Sequence, residues 1–285
     1  MGRPRRPGGP IGVRRTGDGK PARGGAMEGA LKSQERALDP RRALKLLRET
    51  AAASEWEISR VKAIETVKLR PGRRLTIRYR VRAGRRGRTV RSRTVYGKLY
   101  RGRKGERVAR TLQFLREASA RSLRFPELIG YNARRRFLLT HSLKGEPLSE
   151  LLLATVWPSH LANFACSLAA LHAVPACLPS AGGPVELSPG CHGPQEEGAV
   201  LTAALERLEA PELPDRLRLK AGELHDKIVV ILDGGGARTR AGPPCLIHRD
   251  LYPEQVLVDD GRPGFIDLDE LAAGEAELDL GNFIA

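Results

Sequence analysis

The sequence predicts an α+β chain built as two lobes, an antiparallel sheet lobe followed by a mainly helical one. Three observations carry this. Between residues 61 and 100, strand-like runs alternate with Gly/Pro/Arg-rich turns, and two shorter runs follow at 126–131 and 136–141. Beyond residue 144 the longest apolar stretch, 161–178, reads as a buried helix, because Asn163, Ser167, His172 and Pro175 interrupt it. Near the end, Val256-Leu257-Val258, the turn Asp259-Asp260-Gly261 and Gly264-Phe265-Ile266 read as a β-hairpin, since Asp-Gly between apolar runs favours a tight two-residue turn.

Each element can be justified in order. Residues 1–38 are rich in Gly, Pro and Arg without apolar periodicity and are expected to be disordered; Met27 offers a second possible start. Asp39 and Pro40 have the chemistry of an N-cap and a first helical residue, with Leu44 and Leu47 as the apolar edge of a short helix. The first lobe, 39–143, then has strands at 61–69, 75–81 and 89–100, with turns at 71–74 and 83–87. From Thr76 to Arg82, arginines alternate with Ile77, Tyr79 and Val81, which places the arginines on a solvated face and the apolar residues inside. A helix is expected at 106–118. The second lobe, 144–285, has its central helix at 161–172 and an insertion at 180–245 with helical stretches at 199–208 and 216–232.

Composition narrows the function classes. The 285 residues carry a net charge of +16, and residues 60–105 alone hold 18 Lys+Arg against one acid, Glu65. Such a concentration suits nucleic acid or an anionic surface. The strand alternation and the bias of 39 Arg to 10 Lys give a plainer explanation, so nucleic-acid binding is kept as the lesser alternative. The four cysteines form no C-x-x-C pair and no zinc spacing, which favours a reduced, cytoplasmic protein. There is no membrane segment, and the basic N-terminus lacks the apolar core of a secretory signal. Residues 186–233 hold ten acids and five bases, which fits a cationic or polyhydroxy ligand and fits solvated helix faces equally well.

The chemistry concentrates in His248-Arg249-Asp250-Leu251, followed by Gln255 and by Phe265-Ile266-Asp267. Phosphoryl transfer needs a carboxylate to accept the proton of an attacking hydroxyl, and a separate oxygen set to fix Mg²⁺ across the phosphates. In the pattern H-R-D-L-x-x-x-N the Asp is the base and the residue five positions on holds metal. Asp250 is then the base, and Gln255 and Asp267 are the metal ligands. Lys98, in Val95-Tyr96-Gly97-Lys98 on the third strand, stands where a lysine pairs with the α/β-phosphates of ATP.

The segment 246–283 resembles the aminoglycoside phosphotransferase and choline-kinase-like enzymes, small-molecule kinases with a protein-kinase-like fold. Leu268-Asp269 in place of Phe-Gly, the absence of a following Ala-Pro-Glu, and Leu278-Asp279-Leu280-Gly281-Asn282-Phe283 point to that branch. Gln255 departs from the usual Asn and resembles the maltokinase-like members. The resemblance implies ATP between the lobes, with a hinge near 140–143. It also implies that the first hairpin turn, with Arg73 and Arg74, covers the phosphates in place of a G-x-G-x-x-G loop. It implies a helix glutamate for Lys98, either Glu106 or Glu117, with Glu106 favoured. His248 and Asp279 are expected to brace the catalytic loop. The family's C-lobe continues past the position of Ala285, so a truncated C-lobe is expected. The expected function is transfer of the γ-phosphate of Mg-ATP to a hydroxyl of a small molecule. The alternative is an inactive nucleotide-binding relative. The acceptor and the oligomeric state are left open.

Overall fold

The computed structural model describes residues 33–70, 74–119, 123–155, 157–174, 177–180, 183–186, 191–208, 214–235 and 245–285. Helix α1 (Pro40–Ala51) starts where its cap chemistry dictates. Asp39 Oδ1 accepts the Arg42 backbone N–H at 2.8 Å, which satisfies one of the orphan donors of the first turn. Its buried residues Ala43, Leu46, Leu47, Thr50 and Ala51 recur at helical spacing and pack on a five-stranded sheet. That sheet comprises β1 (Trp56–Arg70), β2 (Arg74–Arg85), β3 (Arg91–Tyr100), β4 (Leu128–Asn132) and β5 (Phe137–His141). Its order is β1-β2-β3-β5-β4 and every pairing is antiparallel. Along β2, Ile77, Tyr79 and Val81 are fully buried while Arg78, Arg80 and Arg82 face water. Several of the basic side chains pair locally. Arg78 meets Glu65, Arg85 lies 3.5 Å from Glu55 and 3.6 Å from Glu127, and Arg86 lies 3.6 Å from Glu57.

Several boundaries differ from the sequence expectation, and those in the first lobe have a physical reason. Strand β2 runs to Arg85 and takes in the start of the turn expected at 83–87, while β1 begins at Trp56, opposite Arg85, instead of at 61. Longer pairing satisfies more backbone groups, and this outweighs the local turn chemistry of Gly84. Residues 33–38, within the span expected to be disordered, are helical. Ala37 is fully buried there, and its carbonyl accepts the Tyr79 hydroxyl at 2.8 Å. A tyrosine buried under the sheet needs a partner for that hydroxyl, and the preceding helix supplies it.

Helix α2 (Lys104–Ala118) follows β3 and buries Val108, Leu112 and Leu115. The second lobe opens with β6 (Glu146–Pro147) and the single turn α3 (Leu148–Leu151), then α4 (Trp157–His172), which turns Phe164, Leu168 and Leu171 inward. Strands β7 (Cys177–Ser180), β8 (Gly183–Glu186) and β9 (Cys191–His192) and helices α5 (Pro194–Leu208) and α6 (Asp215–Gly235) form the insertion. Then come β10 (Cys245–Ile247), the hairpin β11 (Val256–Asp259) and β12 (Arg262–Phe265), β13 (Ala272–Gly274) and α7 (Ala276–Ile284). Asp260 and Gly261 both have positive φ, 53° and 66°, as a two-residue hairpin turn demands. One apolar core runs from α2 through Leu138 to Phe164, Leu246, Leu251 and Phe265, so it spans both lobes beneath the cleft. Among the described residues, no helix is long and apolar enough to cross a membrane.

Candidate active site

The catalytic-loop segment connects β10 to β11 and is held from below by α7. Asp279, fully buried, accepts the backbone N–H of His248 at 2.8 Å and of Arg249 at 2.7 Å, and the ring of His172 at 2.9 Å. Asn282 Nδ2 donates to the Arg249 carbonyl at 2.7 Å. These bonds hold Arg249 in the left-handed region (φ 69°), a conformation that a residue with a Cβ seldom adopts unless its surroundings fix it. His248 is buried, and its Nε2–H donates to the Ile266 carbonyl at 2.9 Å. Burial pushes its ring below the usual histidine range and keeps it neutral. Asp279 and His248 therefore sit as braces, one tying the loop to α7 and the other tying it to the segment after β12 that carries Asp267.

Asp250 accepts the hydroxyl of Tyr252 at 2.6 Å, and that hydrogen bond, together with burial, raises the phenol to about 12. Tyr252 was not singled out by sequence reasoning; its place two residues after Asp250 was the available signal. Gln255 ends a 3-10 turn at Pro253–Gln255, and its carbonyl accepts the Ile266 N–H at 2.9 Å. That bond sets Gln255 beside Ile266-Asp267, as the hairpin reading required.

Across the cleft, Lys98 on β3 donates to Asp267 Oδ1 at 2.6 Å and to Asp269 Oδ1 at 2.7 Å. Gly97 allows this approach, because a Cβ there would stand 2.3 Å from the ring of Phe137. Arg74, at the start of β2, donates to both oxygens of Asp267 at 3.1 and 3.2 Å and to Asp269. Burial alone would raise the Asp267 carboxyl, yet Lys98 and Arg74 against it hold it well below the usual carboxylate range. Burial likewise opposes the Arg74 charge, but Asp269 and Asp267 raise it further. Arg73 lies outside the described residues.

Glu106 does not meet Lys98. It faces away from the cleft and pairs with Arg110 at 2.6 Å, beside a groove of about 920 Å³ on the far side of α2. Glu117, the other glutamate considered, is exposed near the end of α2. The expectation of a helix glutamate on the lysine is corrected by the phase of α2. Its cleft side presents Lys104, paired with Glu270, and Arg107, which donates to the Asp269 carbonyl at 3.3 Å.

These groups line an interlobe cavity of about 300 Å³. Its lining joins the Lys98, Arg74, Asp267 and Asp269 cluster and Gln255 to Tyr96, Leu138, Thr140, Leu143 and Leu257. A cavity that combines apolar lining with fixed cations and oxygen donors suits a flat base joined to phosphates. Mg²⁺ takes oxygen ligands and keeps several waters, so it binds through one or two protein groups plus phosphate. The ionised Asp267 carboxylate and the neighbouring Gln255 amide fit that requirement.

The profile of the phosphotransferase enzyme family, APH, matches residues 67–285. No curated protein matches the chain. Among solved structures, the chain is similar to the GDP and kanamycin complex of APH(2")-IIia, with 17% identity, 82% of this chain and 74% of that one covered, and a TM-score of 0.56. It is similar to aminoglycoside phosphotransferase APH(3'')-Id from Streptomyces rimosus, with 19% identity, 86% and 82% covered, and a TM-score of 0.53. It is also similar to a thermostable mutant of aminoglycoside phosphotransferase APH(4)-Ia in ternary complex with ADP and hygromycin B, with 14% identity, 84% and 75% covered, and a TM-score of 0.55. With the kinase-like two-lobe fold and a family match across most of its length, the chain belongs to the APH phosphotransferase enzyme family.

Proposed function

We propose that the protein transfers the γ-phosphate of Mg-ATP to a hydroxyl group of a small molecule. The observation that carries this reading is the meeting of Lys98 and Asp267 at 2.6 Å, 169 residues apart in sequence, in the lining of the interlobe cavity. Asp250 stands on the braced loop as the general base and takes the proton from the attacking hydroxyl. Tyr252 holds one oxygen of Asp250, which leaves the other to face the acceptor. Lys98 and Arg74 bind and orient the phosphates, and Asp267 and Gln255 are the residues that would hold the metal. When bound, the metal neutralises charge that develops on the phosphate oxygens. Two of the similar structures hold GDP with kanamycin and ADP with hygromycin B, which supports a nucleotide donor and a small-molecule acceptor here.

The test is ADP release from Mg-ATP over a panel of sugars, aminoglycosides, amino alcohols and hydroxy amino acids. Acceptor-dependent ADP formation that disappears in EDTA is expected for at least one class. Tight ATP binding without turnover of any acceptor would instead support the inactive relative.

A further inference from the structure

Asp269 stands two residues beyond the metal-ligand candidate, in the position of the kinase pattern's glycine. Its side chain is 2% exposed, and both of its oxygens are engaged. Oδ1 takes the Lys98 ammonium at 2.7 Å, while Oδ2 takes the Tyr100 hydroxyl at 3.0 Å and the Arg74 guanidinium. Burial, and then the Asp269 charge, raise the Tyr100 phenol well above its ordinary range, so it stays a donor. The left-handed backbone at Asp267 (φ 57°) and the 3-10 turn at Leu268–Glu270 let the two carboxylates face the lysine together. Leu268, between them, is buried in the core.

We propose that Asp269 is the positioning residue for the phosphate-binding cations Lys98 and Arg74, in the role that a helix glutamate has in the general kinase pattern. The inference rests on the phosphotransferase reading and refines its site. Helix α2 offers no acid to Lys98; its cleft side carries Lys104 and Arg107, and Glu106 is engaged elsewhere. Asp267 cannot serve alone, because a divalent cation on its carboxylate competes directly with Lys98 and Arg74. Asp269 then keeps both cations aimed into the cavity while Asp267 is given over to metal. The lysine is thereby set by the same short segment that carries the metal ligand, and α2 acts on it only through that segment, by Lys104 and Arg107. The departure of Leu268-Asp269 from Phe-Gly gains a physical meaning: a glycine there has no carboxylate to offer.

The test is a double-mutant cycle with Asp269→Asn and Lys98→Met, read by calorimetric ATP affinity with Mg²⁺ and in EDTA, and by the Mg²⁺ concentration for half-maximal binding. Asp269→Asn should weaken ATP about tenfold to a hundredfold, the loss expected of a charge-assisted contact, in both conditions. The half-maximal Mg²⁺ concentration should stay within about twofold, and the loss should shrink by about tenfold in the Lys98→Met background, as coupled partners require. Additive losses would overturn the proposal, and a rise in the Mg²⁺ requirement would make Asp269 a metal ligand instead. If Asp269→Asn does not fold, Asp269→Glu is read in its place: partial loss of ATP affinity supports the proposal and wild-type affinity overturns it. A wild-type chain that binds no Mg-ATP would remove the parent reading and this inference together, whereas additive losses in a binding chain remove the inference alone.

Discussion

Replacing Asp250 with Ala removes the carboxylate that accepts the Tyr252 hydroxyl at 2.6 Å. Turnover should fall by about 10²–10⁴, the usual worth of a positioned general base, while Mg-ATP affinity stays within about twofold. Single-turnover kinetics beside calorimetry checks both halves. Glu106→Ala tests the opposite expectation. Its pair with Arg110 is exposed and one helical turn away, worth about 0.3–0.5 kcal/mol, so nucleotide affinity should be unchanged. A tenfold loss of affinity in that variant would restore the helix glutamate to the lysine. At this scale Asp250, Gln255, Asp267 and Lys98 stand out in the sequence because their spacing is set by the chemistry. Asp269 and Arg74 become partners only through a fold that joins β2 to the far end of the chain, and no local pattern encodes that contact. The two α2 glutamates share one face by spacing, yet spacing alone does not say which face looks at the cleft.

Among the elements, α7 matters to the loop through one residue. Asp279→Ala would leave the His248 and Arg249 N–H groups buried or half-buried without an acceptor. At about 1–3 kcal/mol for each orphaned group, the loss is about 2–6 kcal/mol. That corresponds to a melting temperature lower by roughly 5–15 °C, measurable by circular dichroism. A shift below about 2 °C would show that the loop is held by other contacts. Gly97→Ala acts on β3 instead. The added methyl would meet Phe137 at 2.3 Å and Tyr79 at 2.8 Å, so overpacking of about 1–3 kcal/mol is expected, together with displacement of Lys98. Weaker nucleotide binding as well as a lower melting temperature would reveal that displacement. The elements themselves were mostly legible. Caps, the Asp-Gly turn and the arginine alternation of β2 are local signals. The extension of β1 and β2 past Gly84 and the burial of Ala37 depend on pairing and packing, which no local signal carries.

For the whole molecule, the shared core beneath the cleft couples the two lobes, and half-buried His141 joins fully buried His248 in making its stability sensitive to acid. His141, at the end of β5, packs its ring 4.1 Å from that of Trp56. Burial, with Arg93 and Arg85 nearby, lowers it from an ordinary 6.5 to about 4. The folded value is the depressed one, so this contribution is complete above pH 6.5 and is lost as pH falls from 6.5 towards 4. The loss is about 3 kcal/mol at most, and His141→Phe should flatten that part of the profile of melting temperature against pH. A variant profile parallel to the wild type would place the acid sensitivity elsewhere.

The central claim is that the interlobe cleft is a magnesium–nucleotide site organised on Asp267. Calorimetric titration of ATP into the wild type and Asp267→Ala, with and without Mg²⁺, tests it most directly. The wild type should bind ATP more tightly when Mg²⁺ is present, and Asp267→Ala should bind it with an affinity indifferent to the metal, because the carboxylate is the main anchor for a hard cation. An Asp267→Ala protein that binds Mg-ATP as the wild type does would contradict the account.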